Sequence, residues 1–192
     1  GLCLRGELMI DDLAEETSAR PTKIAYQWAA QVSMPAGRQN TNLLFEFTRV
    51  WNHVYSVYYS DLYDRNHTHQ GEPLGYWLGP DSRRYYGKFS VDVSPNLEVG
   101  ATVDIINKGS GSLDEPWLET MGGVDASVFS TPVRDLGFFG LFLRILPRDN
   151  IQIRCSAEYG GIEEPCYWWG WCCCRRHDGP AGRFWLWLDT RW

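Results

Sequence analysis

Residues 67–84 read HTHQGEPLGYWLGPDSRR, and few stretches of this chain hold so many groups able to do chemistry. Two histidines stand two apart with Asp64 just upstream, and a Tyr-Trp pair lies between a Pro-Leu-Gly turn and a Gly-Pro-Asp turn. The stretch has neither helical nor strand period, and long patternless segments inside a domain are usually functional or disordered. Its aromatics and turn formers argue for order. Upstream the same mixture continues. Trp51, His53, Tyr55, Tyr58, Tyr59, Tyr63, Tyr76 and Trp77 supply flat faces, while Asp61, Asp64, Arg65, Asn66, Gln70, Asp81, Arg83 and Arg84 supply donors and acceptors. Rings for the C–H surfaces of a sugar, with a few polar groups for its hydroxyls, follow the general plan of a small-ligand site. The candidate carbohydrate-binding set is Trp51, His53, Tyr55, Tyr58, Tyr59, His67, His69, Gln70, Trp77, Asp81 and Arg83. The competing reading is that these rings fold the loop inward as a plug with a core of its own.

Other chemistries are less well supplied. His67 and His69 near Asp64 suggest a metal, but a site needs three or four ligands with support behind them. No further ligand is evident, so no metal or other cofactor is expected. Asp11 and Asp12 end a strand whose inward face holds Arg5, Glu7 and Met9. Adjacent residues of a strand point to opposite faces, which weakens an acid–base pairing there and favours an acidic strand end paired with nearby arginines. The stretch GSGSLDEP (109–116) has serines and acids but no nucleophile elbow and no histidine partner, and reads as a flexible loop. Six cysteines, Cys3, Cys155, Cys166 and the run Cys172 to Cys174, match no structural zinc spacing. An enzyme is not expected.

The elements that must position these groups are strands. In KIAYQWAAQVSM (23–34) one face holds Ile24, Tyr26, Trp28, Ala30, Val32 and Met34; the other holds Lys23, Ala25, Gln27, Ala29, Gln31 and Ser33. LEVGATVDI (97–105) and IQIRCSAEY (151–159) alternate in the same way, and weaker alternation runs through 2–10, 42–51, 83–93, 134–146 and 183–192. Such runs are strand signals and exceed the usual length of about 5 to 6 residues in soluble proteins. Connections alternate too. Residues 35–41, 94–96 and 147–150 are short, whereas 11–21, 52–82, 108–133 and 161–182 are long. Short and long turns interleaved on an even number of alternating strands are the layout of an outer-membrane β-barrel, with long loops outside.

The predicted fold is therefore all-β, an antiparallel up-and-down transmembrane β-barrel with about eight strands present, over a single domain of residues 1–192. A soluble barrel or sandwich also alternates. The loop alternation and the aromatic end of RFWLWLDTRW (183–192) favour the membrane form. No run of about 18 apolar residues is present, so no helix is expected to cross a membrane. The chain opens on Gly1 inside a strand pattern, which suggests the last part of a larger barrel. Its formal charge of −6 gives no reason to expect a nucleic-acid partner. Arg5, Glu7, Lys88, Asp92, Glu98, Asp104, Arg144, Arg154 and Glu158 are expected to line the lumen. Trp28, Phe45, Phe47, Trp51 and Tyr85 suit interfacial girdles or a core.

GELMIDDL (6–13), FEFTRVWNHVY (45–55) and HTHQGEPLGYWLGPDSRR (67–84) together resemble the Wzi-type capsule assembly proteins. That family has an acidic strand end followed by a Thr-His, Pro-Leu-Gly, Leu-Gly-Pro and Arg block in this order. The likeness covers roughly residues 6–108. Two features depart from it: His67 stands where the family tends to have Tyr, and CYWWGWCCCRRH (166–177) matches nothing in the family's pattern. The resemblance implies a barrel in the bacterial outer membrane that holds capsular polysaccharide at the surface in a lectin-like role. Its other neighbours would be outer-membrane lipid and lipopolysaccharide. The alternative is a porin-like channel for small solutes, in which the lumen charges matter rather than the loop aromatics.

Overall fold

The computed structural model describes residues 1–13, 20–37, 39–55, 68–69, 72–73, 75–112, 125–131, 133–148, 151–162 and 179–190. Ten strands are described: β1 (Leu2–Asp12), β2 (Lys23–Ala36), β3 (Gln39–Val50), β4 (Thr68–His69), β5 (Glu72–Pro73), β6 (Ser82–Ser94), β7 (Leu97–Lys108), β8 (Arg134–Arg148), β9 (Ile151–Ile162) and β10 (Gly179–Thr190). Eight of them form one antiparallel sheet in the order β1-β2-β3-β6-β7-β8-β9-β10, so each strand lies beside its neighbours in sequence. The remaining pair, β4 and β5, is a small hairpin inside the long connection between β3 and β6 that the sequence pattern did not anticipate. No helix is present among the described residues.

Turn chemistry sorts the two ends of the sheet. Ala36 pairs with Gln39, Ser94 with Leu97 and Arg148 with Ile151, so three hairpins close within two residues at one end. At the first, Gly37 takes φ 68°, the left-handed conformation that a tight hairpin needs and glycine adopts freely. At the second, the Asn96 amide donates to Ser94 Oγ and the Asn96 carbonyl accepts from Leu146 N at 2.9 Å. All long connections lie at the opposite end. The sheet is open: β1 and β10 are its two edges.

Because side chains alternate across a strand, the register sorts residues onto two faces. The row Ala30, Phe45, Gly87, Val103, Phe139 and Tyr159 crosses one face; the row Ala29, Glu46, Tyr86, Asp104, Phe138 and Gly160 crosses the other. The first face is apolar and bare. Leu4, Leu8, Leu43, Phe45, Phe89, Val103, Phe139, Leu141 and Phe184 are all exposed on it, Leu141 by 56% and Leu4 by 71%. Towards the long loops it carries an aromatic cluster, with Trp28 and Phe47 5.7 Å apart and Phe47 and Tyr85 4.9 Å apart. One row further comes a polar rim, where Arg49 pairs with Arg83, Arg83 with Asn107 and Asn107 with Asp135. Arg83 Nε donates to Asn107 Oδ1 at 2.9 Å, and Asn107 Nδ2 donates to Asp135 Oδ1 at 2.5 Å.

Ion pairs hold the second face. Arg84 donates twice to Asp104, both bonds at 2.7 Å, and Glu98 accepts from Arg144 at 2.9 Å and from Lys88 at 3.5 Å. Arg5, Glu7, Lys88, Asp92, Glu98, Asp104, Arg144, Arg154 and Glu158 share this one face by register.

Candidate functional site

The strand β3 delivers the chain to the loop end, where residues 51–55 turn back across the polar face. Val54 and Tyr55 pack on Ala25 and Val50, with Met9, Trp51 and Tyr76 around them. Burying this patch is favourable for the loop by roughly 1.5–3 kcal/mol per large side chain. The backbone is tied at each step: Trp51 N donates to Ile24 O at 3.0 Å, Asn52 N to Ala126 O at 3.0 Å and Tyr55 N to Asp11 Oδ2 at 3.2 Å. Asp11 also pairs with Lys23 at 3.0 Å, both under a tenth exposed. The acidic strand end thus finds a lysine on the next strand, where the sequence pattern suggested an arginine.

Tyr55 is the pivot of this loop. Its hydroxyl accepts from Tyr76 N at 3.0 Å, and burial pushes the phenol up, keeping it protonated at neutral pH. A Cβ at position 75 would come within 2.2 Å of that hydroxyl, so Gly75 is what lets the segment pass. His53 and Tyr55 take φ 62° and 71°, left-handed values that residues other than glycine rarely adopt. Such strain persists only where surrounding contacts over-determine it, as these do.

A second buried node ties three loops together. Asp81 is fully buried with φ 54°; its amide donates to Trp51 O at 3.1 Å and its carbonyl accepts from Gly109 N at 2.9 Å. Its Oδ2 accepts from Gly111 N and Ser130 N, both at 3.1 Å, and from Ser130 Oγ. Lys108 Nζ donates to Gly111 O at 3.1 Å and to Pro80 O. On the other side of the rim, Arg49 donates to Ser82 O at 3.0 Å and Ser127 O at 2.8 Å, with its guanidinium 3.9 Å from the centre of the Phe129 ring. A Cβ at 109 would meet Asp81 Oδ2 at 1.8 Å and one at 111 would meet Asn52 Oδ1 at 2.2 Å. The glycines that suggested flexibility in residues 109–112 are therefore the reason this strip can be clamped against Asp81. At 125–127, the Ser127 amide and hydroxyl donate to Asp125 and hold its carboxyl below the usual range.

Trp77 has a different position. It is 52% exposed at the loop end, its ring centre is 6.1 Å from that of Tyr76, and the Arg84 guanidinium lies 5.6 Å from it. Arg84 is fixed in turn by Asp104 and lies 4.6 Å from the Tyr86 ring. A half-open indole beside an anchored guanidinium can take a sugar ring on its face and present donors to a hydroxyl or carboxylate.

No known family model matches this chain, and no curated protein or solved structure is significantly similar to it.

The candidate carbohydrate-binding residues divide among these settings. His53, Tyr55 and Asp81 are buried, at 6%, 3% and 0% exposure, and hold the loops together. Trp51 is half-buried beside the small core. Arg83 stands on the polar rim of the apolar face, 5.3 Å from the Phe129 ring, while Trp77 stands at the loop end of the other face. Tyr58, Tyr59, His67 and Gln70 lie outside the described residues, and His69 is described only as part of β4. CYWWGWCCCRRH (166–177) also lies outside them. Sequence reasoning passed over Asp104 as a partner for Arg84, and over Lys108, Ser130 and Phe129 as loop anchors. Only the parity of Arg84 and Asp104 could have shown that they share a face.

Proposed function

We propose that the chain forms wall and mouth of an outer-membrane β-barrel of the Wzi type, which retains capsular or other surface polysaccharide and catalyses no reaction. The observation that carries this is the pairing of a bare apolar face with an ion-paired polar one on eight long strands. In water such a face costs about 25 cal/mol for each Å² left uncovered. In lipid it is at rest, and the aromatic cluster and polar rim at its loop end suit the headgroup level, beside lipid and lipopolysaccharide. The edges β1 and β10 then have to be paired, with each other or with further strands, because unsatisfied backbone groups are expensive in hydrocarbon. Closure turns the polar face inward as a lumen.

The loop packing favours retention over transport. Residues 51–55 pack on the polar face of β1–β3 at the end that would be the outer mouth, held there by buried contacts that narrow it. What a polymer arriving from outside meets is the loop end of the polar face, where Trp77 is an exposed aromatic. Weak contacts repeated along a polymer add up to firm retention.

The test is retention of the organism's purified capsular polysaccharide on cells carrying the protein or its Trp77→Ala variant. Loss of one stacking face is expected to lower retention about tenfold, equivalent to about 1.4 kcal/mol, at unchanged surface levels of the protein. Equal retention by the two would remove Trp77 from the site and give weight to a channel instead.

A further inference from the structure

Two cations, Lys88 and Arg154, converge on the Phe142 ring of the polar face with Arg144 opposite Arg154 in register, and we propose that the three form a subsite, near the tight-hairpin end of that face, for the carboxylate of an acidic sugar. This inference rests on the polysaccharide reading above, narrows its ligand to an anionic glycan, and gives the polar face a second contact, by the tight hairpins and apart from Trp77 at the loop end. The site is built from a missing side chain. A Cβ on Gly100 would stand 2.4 Å from Phe142 Cζ and 2.3 Å from the Phe89 carbonyl, so only glycine leaves room for the Phe142 ring against β7. Phe142 is 7% exposed there. Lys88 Nζ lies 4.6 Å from the ring centre and the Arg154 guanidinium 5.6 Å from it, both within cation–π range.

The charges around this ring do not balance. Arg144 stands directly opposite Arg154 in the β8–β9 register, and like charges so placed repel. Glu98 is shared, at 2.9 Å from Arg144 and 3.5 Å from Lys88. Among the described residues no acid is paired with Arg154, and Arg144 Nε is shielded from solvent with no hydrogen-bond partner. An arrangement meant only to hold the wall together would alternate acid and base, as Arg84 and Asp104 do. A planar carboxylate fits the fork of a guanidinium and would relieve the repulsion between the two arginines. Beside Arg144 and Glu98, a concave surface continues over Asn42, Gln39, Asn40 and Asp92, which offer amides and carboxylates to neighbouring hydroxyls.

The experiment uses the whole chain reconstituted in lipid vesicles and titrated with two probes, a galacturonate hexamer and neutral maltohexaose. The galacturonate hexamer is expected to bind at least tenfold more tightly at low salt, with the advantage shrinking as salt rises. Arg154→Gln and Arg144→Gln should each erase most of that advantage and leave maltohexaose binding as it was. Equal affinity for the two probes, or an advantage that survives both substitutions, overturns the subsite while leaving the glycan reading intact. Galacturonate binding that depends on Arg154 but is indifferent to Trp77→Ala keeps the subsite and overturns the part given to Trp77. Failure of both probes to bind overturns both.

Discussion

Asp81→Ala will release the loops at this end of the sheet, lowering stability by about 3–5 kcal/mol, the range for removing one partner from a buried charged network. The reasons are local and additive in direction. The Gly111 and Ser130 amides lose their acceptor, and a buried donor left unsatisfied costs about 1–3 kcal/mol. Lys108 and Arg49 lose the acid whose charge acts on both. Alanine must also hold the left-handed backbone that aspartate tolerates better. Asp81→Asn keeps an acceptor and the backbone preference, so it should cost less than half as much. Amide hydrogen exchange followed by mass spectrometry reports on this directly. Peptides covering 109–112 and 125–131 should lose protection in the alanine variant and keep most of it in the asparagine variant. Unchanged protection in both would mean that the loops are held by something other than Asp81.

Leu141→Arg tests the opposite face. Leu141 is central in β8, exposed on the apolar face, and in one row with Ala101, Phe89, Leu43 and Val32. In a bilayer an arginine at this depth costs about 2–4 kcal/mol. Gln31 lies one row away on the polar face, which in the proposed barrel meets the lumen and not lipid, so Gln31→Arg should cost at most a few tenths of that. Folding into vesicles, followed by urea titration of intrinsic fluorescence, separates the two. If both arginines are tolerated equally, the apolar face does not meet lipid.

The wall of this structure was legible in the sequence because alternation is a local property. KIAYQWAAQVSM assigns residues 23–34 of β2 to a face without knowledge of their neighbours, and the observed register keeps that assignment. Strand ends were less legible: β3 starts at Gln39 because the hairpin closes on Gly37, not in the longer turn that PAGRQNT suggested. The loops were legible only as composition. Whether Tyr55 faces a ligand or a core depends on Tyr76 and Asp11, which are 21 and 44 residues away. Asp81 finds Gly111 and Ser130 at separations of 30 and 49 residues. Gly100 was visible on the polar face of LEVGATVDI, but the ring that fills its space comes from Phe142 on another strand. Propensity says nothing about such meetings, which tertiary packing decides.

The claim beneath all of these is that the two faces of one sheet meet two solvents. Nitroxide labels placed singly at positions 30, 31, 32 and 33 of β2, with the six native cysteines replaced, measure this in vesicles. Collision with oxygen, which concentrates in lipid, should be high at 30 and 32 and low at 31 and 33. Collision with a water-soluble nickel chelate should show the reverse. Four positions equally open to the chelate would contradict the account and place the apolar face against protein or water.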